Sequence, residues 1–163
     1  MTVPAARDRD AAGRPRNARP RDGLGRPLPR SAAQDVPRIP DDLVISPAEA
    51  AELGSLLLAE GQPFHAHEVF EAVWKATPGP ERELWRGLAQ IAVGLTHARR
   101  GNARGAVALL RRGAARVNAF AGTSREVDAD LVAAGAAALA LRIERDGLAD
   151  VPAADLRVDL RSG

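Results

Sequence analysis

The chain of 163 residues carries 23 Lys and Arg against 21 Asp and Glu, a net charge of +2, and no cysteine. That length suits one domain with a real core, and the lack of cysteine excludes disulfide frameworks, thiolate zinc sites and cysteine nucleophiles. The N-terminus is charged without an apolar stretch of signal-peptide length, and no apolar run approaches the ~20 residues that span a bilayer, so the expectation is a cytoplasmic protein without membrane contact.

Residues 1–40 hold nine Arg, four Asp, seven Pro and hardly any large apolar side chain. Such a stretch buries too little surface to offset the entropy of ordering it. It reads as a flexible basic arm, or else as an extended arm that docks Leu24 and Leu28 while proline keeps it stretched.

From Ser46 the pattern becomes helices punctuated by glycine and proline. In the run SPAE, Ser46 stands as an N-cap, Pro47 takes the first helical position and Glu49 completes a capping box. This first helix should run to about Glu60 and stop at Gly61. A second, beginning near Pro63, carries FHAHEVFEAVW and ends around Ala76 before the breaker cluster TPGP. The third is expected from Glu81 to Arg100, with Gly101 in the C′ position, and Asn102, better explained as a cap than as a ligand, starts a fourth that reaches about Phe120. After AGTS a fifth spans roughly Asp128 to Arg145 and ends at Asp146-Gly147. The expected architecture is all-α: a compact antiparallel bundle of about five helices over residues 41–147, an extended basic N-terminal arm (1–40), and a C-terminal tail (148–163). Within that tail DLRVDL alternates apolar and polar residues, which suits a short extended segment laid on the bundle or a disordered end.

On the second helix Ala66, Val69, Phe70, Val73 and Trp74 fill one arc at about 100° per residue. His67 borders that arc with Glu71 one turn on, while His65 and Glu68 point toward the flank and solvent. On the third helix Leu84, Leu88, Ile91 and Leu95 make a stripe, and no charged residue occurs between Gly87 and Ala98. A helix apolar or weakly polar all round is central. Gly87 and Gly94 mark the close approach of a neighbour, and Gln90 and His97 share a face that would look toward His67 and Glu71.

These residues resemble a known pattern. Ala66-His67-Glu68, Glu71 and Trp74, then Gly87-Leu88, Gln90, Ala92, His97, Gly101-Asn102, Gly105-Ala106 and Leu109-Leu110 are similar to the bacterial family named domain of unknown function 309. The resemblance covers about residues 45–120. It implies a compact all-helical bundle and no activity, and the pattern commonly has another residue, often acidic, where His65 stands.

Three readings compete for His67, Glu71, Gln90 and His97. They would form a buried polar network that fixes helix register; or His67 and Glu71 at i, i+4, joined by His97, would hold a divalent metal; or they would line a small-ligand pocket walled by Trp74 and Trp85. Catalysis would need a nucleophile or water beside a tuned histidine, and no nucleophile of recognisable context is present.

Charge is segregated: net +5 over residues 1–40; −7 over 41–83, from two basic and nine acidic residues; +8 over 84–125, from eight Arg and no acid; and −4 over 126–163, from four Arg and eight acids. Arg99, Arg100, Arg104, Arg111, Arg112 and Arg116 are candidates for an anionic partner such as RNA or DNA. Against that stands a solvated face balanced by the acidic first and fifth helices, favoured because two Trp, three Phe and no Tyr leave few rings for bases. The expectation is a binding or scaffolding module for a protein partner or a second copy of the chain, with no cofactor. The alternatives are a metal- or ligand-dependent enzyme at His67, Glu71 and His97, and an accessory nucleic-acid binder.

Overall fold

Helix α1 (Pro47–Ala59) begins as its sequence dictates: the Glu49 amide donates to the Ser46 hydroxyl at 3.2 Å and the Ser46 amide to the Glu49 carboxylate at 3.0 Å, a closed capping box. In a computed structural model of the protein, residues 26, 39–120 and 122–163 are described. Of the arm expected over residues 1–40 these include only Arg26, Ile39 and Pro40; Leu24 and Leu28 lie outside the described residues.

The other helices are α2 (Pro63–Ala76), α3 (Glu81–Arg99), α4 (Ala103–Asn118) and α5 (Ala129–Asp146), with no strand among the described residues. Glycine ends α3 in a Schellman turn: Gly101 takes φ +81°, its amide donates to Ala98 O at 3.0 Å, and the Asn102 amide donates to His97 O at 2.9 Å. Asn102 then caps α4 through Gly105 N at 2.9 Å, and Asp128 caps α5 through Leu131 N at 3.0 Å.

Helices pack in chain order, α1 on α2, α2 on α3, α3 on α4 and α4 on α5. The α3–α4 crossing is tight because its contact positions are glycines: a Cβ on Gly94 would lie 3.0 Å from Leu110 N. Gly54 serves the α1–α2 contact similarly, since a Cβ there would meet the Phe70 ring at 2.2 Å. Trp85, Phe70, Leu84, Leu88, Leu95 and Leu110 are almost wholly enclosed.

The tail completes the core. Two 3₁₀ turns, Leu148–Asp150 and Ala153–Asp155, lead into an extended segment whose Leu156, Val158 and Leu160 are buried while Arg157 and Asp159 are exposed. The period of two is that of an extended chain on an apolar surface. The segment is pinned to α5, where the Asp128 amide donates to Leu160 O at 2.8 Å, and its far side faces Ser55, Leu58 and Ala59 of α1. It therefore stands between the first and last helices, and each buried side chain contributes about 1.5–3 kcal/mol.

Candidate functional site

Phe64, His67, Glu71 and Trp74 follow one another at spacings of three, four and three along α2, so they form a single stripe. All four are half-buried. The His67 and Phe64 rings lie 5.7 Å apart. His67 Nε2 is 3.7 Å from a Glu71 oxygen, and Lys75 Nζ is 2.9 Å from the other. Burial pushes the His67 imidazole below its ordinary pKa; the Glu71 charge opposes that and Lys75 reinforces it. His67 Nδ1 is shielded from solvent and has no hydrogen-bond partner.

The stripe ends at Trp74, in the last turn of α2. Because α3 returns antiparallel after TPGP, its first turns lie beside this ring. The Arg82 and Arg86 guanidinium carbons stand 5.7 and 5.4 Å from the Trp74 ring centroid, within cation–π range. Trp74 Nε1 is enclosed without a partner. Arg82 and Arg86 stand outside the site residues expected from the sequence; their signal was an i, i+4 pair just after a helix hairpin whose other arm ends in tryptophan.

The four-residue network is not assembled. Gln90 faces α4, where its Oε1 accepts from Arg116 Nε at 3.2 Å, and Arg116 also pairs with Glu83. His97 sits at the α3–α4 turn, its Nδ1 3.1 Å from Asn102 Nδ2. Since Asn102 Oδ1 is held by Gly105 N, the amide nitrogen is the donor, and His97 carries its proton on Nε2. The correction has a plain cause: Gly87, Gln90, Gly94 and His97 lie on one stripe, and the glycines turn that stripe toward the nearest helix, which is α4. His97 is thus engaged apart from His67 and Glu71, and among the described residues no three His, Cys, Asp or Glu side chains could together hold a metal ion.

Trp85 is also misplaced as a pocket wall. It is fully buried with its ring 6.0 Å from Phe70. His65, expected toward flank and solvent, is only 3% exposed, its Nδ1 has no partner, and burial lowers its pKa. The reason is that α2 has two neighbours, α1 and α3, so its buried arc is wider than one apolar stripe. His65, Val69 and Val73, four apart in turn, were the signal.

The basic face is divided. Arg99 is a structural clamp: its Nη2 donates to Ala153 O at 3.1 Å and Leu156 O at 3.4 Å, holding the tail, and burial lowers its pKa. Arg111 pairs with Glu144 of α5 and Arg116 with Glu83 of α3. Arg100, Arg104 and Arg112 are exposed, the last two without an ion-pair partner among the described residues. Balance thus comes from α3 and α5, not from α1. Among the described residues no helix is long and apolar enough to cross a membrane.

Comparison with known proteins agrees with the motif. Residues 52–109 match the family model described as Domain of unknown function (DUF309). No curated protein and no solved structure matches the chain. The match runs from the second turn of α1 to the middle of α4 and includes the α2 stripe and the arginine pair beside Trp74.

Proposed function

We propose that the protein is a binding module whose recognition face is the α2 stripe, Phe64 through Trp74, together with Arg82 and Arg86. The observation that supports this is the state of Trp74: a half-buried tryptophan covered by two guanidinium groups, with its ring N–H unpartnered. Tryptophan and arginine are the side chains that dominate interface energetics when a partner completes their desolvation. An indole N–H enclosed without an acceptor costs about 1–3 kcal/mol, a cost that a partner's acceptor would relieve after a small shift of the arginines. The scaffold favours the same role, since the stripe sits on a rigid helix packed on both α1 and α3.

The enzyme reading has less support, because His67 and Glu71 lack the third group that His97 was to provide. The nucleic-acid reading is weakened by the engagement of Arg99, Arg111 and Arg116. A photo-crosslinking residue placed at Lys75, on the proposed face, should give discrete protein adducts in the native cell, whereas one at the exposed Ala138 of α5 should not. Equal labelling from both positions, or none from Lys75, sinks the proposal.

A further inference from the structure

Resting on that binding-face reading, we infer that the cluster of Trp74, Arg82 and Arg86 docks a carboxylate-bearing, Asp/Glu-rich segment of a partner protein. Charge accounting on α3 and α4 leads there. Two cations, Arg86 and Arg116, share one carboxylate, Glu83. Arg116 holds Glu83 closely and also donates to Gln90, whereas Arg86 reaches the same carboxylate only at 3.8 Å. Arg82 has its contact with the Trp74 ring and no ion pair among the described residues. Arg82, Arg86, Arg116 and Glu83 carry a net +2, and counting Glu81 in the same turn still leaves the corner positive. Lys75 adds nothing, being neutralised by Glu71 at 2.9 Å.

Geometry selects the anion. Arg82 and Arg86 are one turn apart on α3 and lie over one indole, which restrains both side chains before a ligand arrives. A guanidinium restrained in this way presents a planar fork that fits a carboxylate bidentately. Its ordering entropy is already spent in the free protein, which is how preorganisation raises affinity.

A nucleic acid fits less well. The indole face beneath the guanidinium groups is closed to a stacking base, and phosphate-dominated binding needs several cations along a track. Of the other arginines, Arg99 is committed to the tail, Arg111 to Glu144 and Arg116 to Glu83, while Arg104 and Arg112 stand exposed on α4, outside the Trp74 cluster. What remains is one anchor with two donors, the size of an acidic peptide contact.

The first arm of the test uses an end-capped hexaglutamate peptide and follows tryptophan fluorescence or titration heat in low salt. The peptide should bind, and Arg82→Ala with Arg86→Ala should weaken it at least tenfold. Arg104→Ala with Arg112→Ala removes two exposed cations elsewhere and should change affinity less than twofold. Equal loss in both double variants would reduce the effect to net charge and overturn the inference, as would absence of binding or a single-stranded oligothymidylate that binds more tightly through Arg82 and Arg86. The second arm repeats the Lys75 crosslink in an Arg82→Glu, Arg86→Glu background whose fold is checked by its melting temperature. Loss of an adduct that wild type forms supports the acidic anchor. Persistence overturns it while leaving the binding face intact, and absence of the adduct already in wild type means that the face itself is wrong.

Discussion

Gly87 and Gly113 face each other across the α3–α4 crossing so closely that a Cβ on Gly113 would lie 2.9 Å from the Gly87 carbonyl oxygen. A Cβ on Gly87 would in turn meet Gly113 O at 3.1 Å and Val117 Cγ2 at 2.6 Å. Backbone cannot swing aside as a side chain can. Gly87→Ala and Gly113→Ala should therefore each destabilise by about 1–3 kcal/mol, outweighing a helix-propensity gain of at most ~1 kcal/mol. Gly135→Ala is the contrast, since its Cβ would find only Val158 at 3.5 Å, ordinary contact. It should leave the melting temperature unchanged or raise it.

Gln90 belongs with Arg116 and not with His67. In double-mutant cycles read by urea denaturation, Gln90→Ala and Arg116→Ala should be non-additive by ~0.5 kcal/mol or more, while His67→Ala and Gln90→Ala should add within ~0.5 kcal/mol. His67→Ala alone should be mild, because the side chain is 23% exposed and its 3.7 Å contact with Glu71 is too long for a hydrogen bond. Strong coupling between His67 and Gln90 would restore the single network that the sequence suggested.

His65 is buried with an unpartnered nitrogen, so an apolar side chain of similar size should serve as well. His65→Leu is expected to be neutral or stabilising, as when an unsatisfied buried group is removed. The pH dependence has a definite sign. Burial lowers the folded pKa of both His65 and His67, so the unfolded chain takes up protons first. The stability contributed by the neutral rings is complete above the unfolded value of ~6.5 and is lost as pH falls from there through the lower folded values. Wild type should thus have a lower urea midpoint at pH 5.5 than at pH 7.5, and His65→Leu should shrink that difference. An undiminished difference together with lower stability at both pH values would contradict this account.

Arg99 and the tail should behave as one unit. Leu160→Ala removes a side chain that is 3% exposed and should cost about 2–5 kcal/mol. Arg99→Ala removes the contacts to the exposed Ala153 and part-buried Leu156 carbonyls, about 0.5–1.5 kcal/mol, and should speed amide exchange in residues 153–160. Arg104→Ala, on an exposed side chain, should stay within ~0.5 kcal/mol.

Local chemistry settled much of this protein. Ser46 with Glu49, Gly101 with Asn102, and Asp128 set helix ends within a residue or two, because caps are satisfied by neighbours in the chain. The period of apolar residues marked the stripes of α2 and α3, and Gly87 with Gly94 announced a close crossing. What periodicity leaves open is which neighbour each stripe meets, since a helix face has a direction but no address. Only packing assigned the Gly87 stripe to α4, and so drew Gln90 to Arg116 and His97 to Asn102. The same held for charge. Arg99 and Arg116 are alike in sequence, yet one clamps the tail and the other an acidic residue on α3, because ion pairs and carbonyl contacts form between groups 26 to 57 positions apart. The pairing of Arg82 and Arg86 with Trp74 likewise waited on the hairpin that brings the end of α2 beside the start of α3.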